Sequence, residues 1–127
     1  MSVVDIHASR VKINIQAVNV FLDIGRAIPC ALIVNELVTN AMKHAFPAGR
    51  SGEIRIFVGP VGENFLQLEV SDTGVGLPVG IDFRAPTTLG MQLVYSLTKQ
   101  LRGTVELSRE EGTCFRVRFP SASGMAK

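Results

Sequence analysis

Several features that would point to a nucleic-acid or membrane partner are missing from this sequence. There is no tryptophan and a single tyrosine, so few rings are available to stack on bases. The net charge at pH 7 is only +2, and the lysines and arginines are scattered instead of forming a stripe along which a phosphate backbone could lie. We therefore expect no nucleic-acid partner.

Long apolar runs and paired cysteines are absent as well. No segment approaches the roughly 20 apolar residues that cross a bilayer, and the start, MSVVDIHASR, lacks the layout of a signal peptide. Cys30 and Cys114 lie far apart without C-x-x-C spacing, which predicts reduced, structural thiols. We expect a cytoplasmic domain that makes no membrane contact of its own.

What the sequence does contain is enough apolar material for one domain with a core, since 46% of its 127 residues are hydrophobic and 19% charged. We divide it into an N-terminal extension (1–10), a domain (11–120) and a polar tail (121–127). Period-two alternation predicts strands at 11–15, 20–24, 53–58, 65–71, 104–108 and 113–119. Helical periodicity predicts helices at 26–46 and 89–101, with Pro29 in the first turn of the former.

This order of elements predicts an α/β (α+β) two-layer sandwich, because successive strands form hairpins and no regular strand-helix-strand alternation occurs. The sheet should be mixed but mostly antiparallel, with the helices on one face. Residues 72–88 are rich in glycine, proline and threonine and follow neither period. Their length favours a functional loop.

Polar side chains recur on one side of the first predicted helix. Glu36, Asn40 and Lys43 are spaced i, i+4 and i+7, with His44 at the edge of the row. A solvated helix face would explain this pattern. So would a magnesium-phosphate site, in which the Asn40 oxygen binds Mg²⁺, Lys43 neutralises phosphate and Glu36 accepts a proton.

Two further segments allow both a structural and a ligand-binding interpretation. DTGVGLP at 72–78 is either a strand-ending turn or a site where Asp72 accepts a hydrogen bond from an amine such as that of adenine, with Gly74 and Gly76 permitting close approach. TTLGMQLV at 87–94 places Gly90 at a helix start. Thr88 is either a simple N-cap there or part of an anion site.

Taken together, these segments resemble the boxes of the GHKL, or Bergerat-fold, ATPases. NELVTNAMKH at 35–44 is similar to their N box, 72–78 to the G1 box and 87–94 to the G2 box, and Gly112 with Thr113 is similar to their final GlyThr motif. Within that group, residues 27–47 most resemble the HisKA_2-type sensor histidine kinases. The related HWE kinases rank second, because they are named partly for a tryptophan motif and this sequence contains no tryptophan.

The resemblance implies a Bergerat fold that binds ATP with Mg²⁺ between the first helix and the loop before Gly90. Asn40 would bind the metal, Glu36 would act as the base or fix a water, and Asp72 would bond the adenine amine. The remaining implied contacts are phosphate binding by Lys43 and His44, backbone approach at Gly74, Gly76 and Gly90 with Thr88 beside the last, and water-mediated adenine support by Thr113.

The function implied is that of the ATP-binding catalytic domain of a two-component sensor histidine kinase. Only about 25 residues precede the first helix, too few for a phosphoacceptor hairpin. We expect the γ-phosphate to pass to a histidine on a separate dimerisation domain and then to a response regulator, with little turnover by this chain alone. The alternatives are a serine kinase of the anti-sigma-factor type and a non-catalytic, nucleotide-sensing interaction module.

Overall fold

Two helices cover one face of a five-stranded sheet in the computed structural model, which describes residues 11–46, 49–75, 89–109 and 112–121. The predicted N-terminal extension, most of the tail and most of the predicted loop lie outside these ranges. No helix in the described part is both long and apolar enough to span a bilayer. The elements in chain order are β1 (Val11–Ala17), α1 (Ile24–His44), β2 (Gly52–Val61), β3 (Phe65–Asp72), α2 (Leu89–Gln100), β4 (Thr104–Ser108) and β5 (Thr113–Pro120).

The strand order is β1-β2-β3-β5-β4, so the last strand in sequence lies between β3 and β4. β1 pairs with β2 in parallel, from Val11 opposite Gly52 to Ala17 opposite Val58. The other neighbours are antiparallel. The predicted mixed, mostly antiparallel sheet with helices on one face is therefore confirmed, but the hairpin predicted for the first two segments is wrong.

The error arises at residues 20–24, which form no strand because α1 already begins at Ile24. Asp23 precedes the helix in an extended conformation, and its carbonyl accepts hydrogen bonds from the N–H groups of Arg26 and Ala27 at 3.0 and 2.9 Å. Arg26 Nε also donates to Asp23 Oδ1 at 2.9 Å. With this earlier start, Pro29 is the sixth helical residue and lies in the second turn. The sequence pattern had predicted the first turn.

The core lies between the helices and the inner face of the sheet. Alternate residues of β3 and β5 point inward, and Leu68, Val117 and Phe119 are at most 1% exposed. Ile33 of α1 and Val94 of α2 are fully buried against them. This burial matches the period-two and helical patterns of the sequence.

The outer face of the sheet carries charged and polar residues instead. Arg116 contacts Glu69 at 3.0 Å and Glu106 at 3.5 Å across three neighbouring strands. Arg118 donates to Gln67 Oε1 at 3.0 Å. This face is therefore held by cross-strand pairs, each of modest energy because the side chains stay partly solvated.

Candidate functional site

An open cleft lies between the C-terminal half of α1 and the adjoining ends of β3 and β5. Its walls are largely apolar, with a few polar groups placed among them. This composition is typical of small-molecule sites. The lining residues are Leu37, Asn40, Ala41, His44, Ala45, Val70, Asp72, Thr113 and Phe115.

Asp72 is the buried carboxylate of this cleft, only 8% exposed at the end of β3. Burial raises the pKa of its carboxyl group, while hydrogen bonds from the backbone N–H groups of Gly74 and Thr113 act in the opposite direction. The Gly74 nitrogen lies 2.9 Å from Asp72 Oδ1. Among the described residues no cation forms an ion pair with Asp72, and Asp72 itself lines the cleft.

Two glycines shape the surroundings of Asp72. Gly112 has a φ of +101°, and a Cβ there would overlap the Asp72 carbonyl oxygen and lie 3.1 Å from Oδ1. A Cβ on Gly74 would overlap the backbone of Ala45 at the end of α1. Gly74 is thus required by packing. The predicted approach of its backbone to a ligand stays a prediction.

Gly112 was not among the individual ligand-site candidates drawn from the sequence. The signal that could have found it was its place in the GlyThr motif, because a glycine with positive φ before a strand fixes where the strand begins. Thr113 follows it, buried and opposite Asp72 in the register of β3 and β5. The structure therefore places the start of the predicted G1 box next to the predicted GlyThr motif.

The polar row on α1 divides among three places. Asn40 and His44 line the cleft, whereas Lys43 is exposed and does not. The half-buried Asn40 donates from Nδ2 to Met91 Sδ of α2 at 3.6 Å. Glu36 lies instead where α1 meets the start of α2, beside Gly90.

The remaining predictions are the roles of Gly76 and Thr88 and the binding of a metal ion. Gly76 and Thr88 lie outside the described residues, so their predicted roles stay predictions. Nowhere in residues 11–46, 49–75, 89–109 and 112–121 do three or more His, Cys, Asp or Glu side chains group to hold a metal ion. A magnesium site here would therefore rest on Asn40 together with the oxygens of a ligand.

Residues 25–123 match the family described as histidine kinase-, DNA gyrase B- and HSP90-like ATPase. The chain belongs to this family. It is therefore an ATP-binding domain, and the match confirms the GHKL resemblance read from the four motifs. The match spans nearly all of α1 and all of the elements from β2 to β5, and so includes every residue that lines the cleft.

Individual relatives of this ATPase domain are sensor kinases. It is 36% identical over 103 residues to the sensor histidine kinase PdtaS of Mycobacterium tuberculosis, covering 78% of this chain and 20% of that protein. It is 30% identical over 111 residues to blue-light-activated histidine kinase 2 of Erythrobacter litoralis, covering 87% of this chain and 32% of that one. The chain thus spans about a fifth to a third of these relatives.

A solved structure supports the same assignment of the fold. The histidine kinase domain of the Erythrobacter litoralis EL346 blue-light activated histidine kinase superposes with a TM-score of 0.82 at 29% identity. The superposition covers 88% of this chain and 52% of that one. The ATPase domain therefore has the fold of a histidine kinase catalytic domain.

Proposed function

We propose that this domain is the catalytic part of a two-component sensor histidine kinase. It binds Mg·ATP and donates the γ-phosphate to a histidine on a separate dimerisation and phosphoacceptor domain, from which a response regulator is phosphorylated. The observation that carries the proposal is Asp72, a buried carboxylate without a cation partner among the described residues. It lines a largely apolar cleft, in a chain that belongs to a family of ATPases.

The cleft suits the adenine end of ATP. Leu37, Ala41, Val70 and Phe115 offer apolar surface to a flat ring, and the Asp72 carboxylate is the acceptor that an exocyclic amine needs. Because this carboxylate is already fixed by two backbone N–H groups, it needs no reorganisation to accept a third hydrogen bond. Thr113 beside it would support the base through water.

The phosphate end is assigned to the other polar groups of α1. Asn40 donates to Met91 from Nδ2, which leaves its oxygen, the hard ligand that Mg²⁺ prefers, for the metal. Magnesium bound with ATP would neutralise charge on the transferring phosphoryl group. Lys43 and His44 follow Asn40 on the helix and are proposed to contact phosphate oxygens, together with Gly76 and Thr88 of the predicted loop at 72–88 and Gly90 of α2.

Glu36 is proposed as the group that accepts the proton of the attacking histidine or fixes a water. The two alternative functions differ in the acceptor: a serine on an antagonist protein, or none for a sensing module. The relatives found are named sensor histidine kinases, which favours histidine. The HisKA_2 subtype and the cytoplasmic location stay parts of the proposal.

The nucleotide site is tested by calorimetric titration of ATP, with and without Mg²⁺. We expect Mg²⁺ to strengthen binding and Asp72→Asn to weaken it by about 10- to 100-fold, since a hydrogen bond to a charged, buried group is lost. Glu69→Gln, a change on the outer face of the same strand, is the matched control and should leave binding unchanged. Absence of ATP binding by folded wild-type protein would contradict the proposal.

Phosphotransfer is tested with γ-labelled ATP and a supplied histidine-bearing helical hairpin domain. Label should appear on the hairpin in an acid-labile, base-stable linkage, as expected of phosphohistidine. Glu36→Gln should slow transfer by about 100-fold or more while ATP binding is retained. Acid-stable label on a serine would favour the serine kinase, and ATP binding without any transfer would favour the sensing module.

A further inference from the structure

Gly90 lies directly against the carboxylate of Glu36. It is the second residue of α2, and a Cβ at this position would overlap Glu36 Oε1 and lie 3.5 Å from Glu36 Cδ. Both residues are half-buried. The carboxylate of α1 therefore occupies the space that a side chain at position 90 would need.

The backbone gives no other reason for glycine here. Gly90 is helical and does not have a positive φ, unlike Gly49, Gly62 and Gly112. Alanine would favour a helix more than glycine does, because glycine loses more conformational freedom on folding. The room left for Glu36 is thus what distinguishes glycine from alanine at this position.

We propose that Gly90 is a positioning residue for Glu36: the side chain it lacks lets the Glu36 carboxylate take the place from which it serves phosphotransfer. This inference rests on the proposed function of Glu36 and deepens it. Gly90 then sets the rate of the chemical step through Glu36. Its proposed contact with phosphate is made by its backbone N–H group, which Gly90→Ala retains, so ATP affinity should depend little on the added methyl.

The domain should tolerate a methyl group at this position. The atom that would overlap the new methyl is Glu36 Oε1, at the end of a flexible side chain. The protein should therefore accommodate Gly90→Ala by turning the Glu36 carboxylate aside, without movement of the helices. Catalytic geometry is far less tolerant than folding. A displacement of about 1 Å at a reacting group can slow a reaction by about 100-fold.

The test combines Gly90→Ala with Glu36→Asp, whose carboxylate is one methylene shorter and leaves room for the added methyl. Transfer of label to the hairpin domain and ATP affinity are measured for wild type, both single variants and the double variant. We expect Gly90→Ala to slow transfer by about 100-fold in the wild-type background but by no more than about twofold in the Glu36→Asp background. ATP affinity should change by no more than about twofold in every variant.

Gly25→Ala is the matched control. It adds the same methyl to the first turn of α1, 3.2 Å from the carboxylate of Asp23, about 16 Å along the helix axis from Glu36. Neither transfer nor ATP affinity should change. An equal loss of transfer on Gly90→Ala in both Glu36 backgrounds, or a weakening of ATP binding by about tenfold or more, would overturn the inference.

A second measurement separates this inference from the proposed function. If the wild type transfers no phosphate, the proposed function fails, whereas the contact between Gly90 and Glu36 is still decided by the carbon NMR signal of the Glu36 carboxyl group. Gly90→Ala should shift that signal and Gly25→Ala should not. An unchanged Glu36 signal in Gly90→Ala would overturn the inference independently of activity.

Discussion

Asp72 and Glu69 lie three residues apart on β3 and point to opposite faces of the sheet. On the outer face, Glu69 Oε2 accepts hydrogen bonds from Cys114 Sγ at 3.1 Å and Arg116 Nη2 at 3.0 Å. On the inner face, the described residues that hydrogen-bond the Asp72 carboxylate do so through backbone N–H groups. The same chemical group is therefore paired with side chains on one face and, among the described residues, with backbone groups beside an apolar cleft on the other.

The difference is the one expected between a structural carboxylate and the ligand-binding carboxylate that we propose. Glu69 uses its acceptor capacity to join β3 to β5 and to Arg116, which also contacts Glu106 of β4. A buried charge without a counterion costs folding energy and is retained where a ligand uses it. The contrast between the two faces of the sheet can be tested in three ways.

The largest effect is expected from the core on the inner face. Phe119 is fully buried, and Phe119→Ala should lower the free energy of unfolding by about 3–5 kcal/mol because it removes the ring and leaves a cavity. Gln67→Ala, on the outer face, should cost only about 1 kcal/mol or less with the loss of its bond to Arg118. Urea unfolding measures both, and equal losses would mean that stability is not concentrated on the helix-covered face.

A smaller, pH-dependent effect follows from the shifted pKa of Asp72. Because burial raises this pKa above its ordinary value of 3.8, the stabilising contribution is complete below that value and is lost as the pH rises through the raised pKa. Urea unfolding of nucleotide-free protein should therefore show the wild type losing stability relative to Asp72→Asn as the pH increases from about 4.

Asp23 supplies a control of opposite sign for that pH series. Its hydrogen bond with Arg26 lowers the pKa of Asp23, so its contribution is present above 3.8 and is lost as the pH falls through the lowered pKa. The wild type should thus gain stability relative to Asp23→Asn as the pH rises. The same direction of change for both variants would show that the Asp72 carboxylate is not the buried, cation-free group described.

The smallest effect concerns the outer face and is measured as the reactivity of a thiol. Burial, followed by the hydrogen bond to Glu69, raises the pKa of the Cys114 thiol from 9.0 to about 12. Native Cys114 should react with iodoacetamide at pH 8.5 much more slowly than in urea, and Glu69→Gln should accelerate its reaction by about tenfold. Cys30, whose pKa burial raises to about 11, should be unaffected by that substitution and serves as the internal control.

The sequence predicted both helices, the strands later in the chain and the cleft motifs, because each rests on a local pattern. It could not predict that β1 pairs in parallel with β2, since that pairing joins segments separated by a whole helix. The strand predicted at residues 20–24 was wrong because a short apolar run is compatible with either period. Asp23, within this run, is the residue that precedes the helix. Boundaries of the other elements differ by at most three residues, as helix and strand ends usually do.

The site shows the same division between local and distant information. Asn40, His44, Asp72 and Thr113 were all found by their residue types in familiar motifs, and the structure places them in one cleft. The contacts between Gly112 and Asp72 and between Gly90 and Glu36 join residues 40 and 54 positions apart. No spacing within a single element reveals such contacts, so only the folded chain shows what these glycines make room for.

The position of β5 has a consequence for the order in which the domain can be made. Because this last strand inserts between β3 and β4, a growing polypeptide that has reached Ser108 still has the edge of β3 exposed and lacks Thr113. Neither the central pairing nor the cleft is complete until the final strand has left the ribosome. Nucleotide can therefore assist only the last stage of folding. A chain that ends a few residues before Pro120 should be both unstable and unable to bind nucleotide.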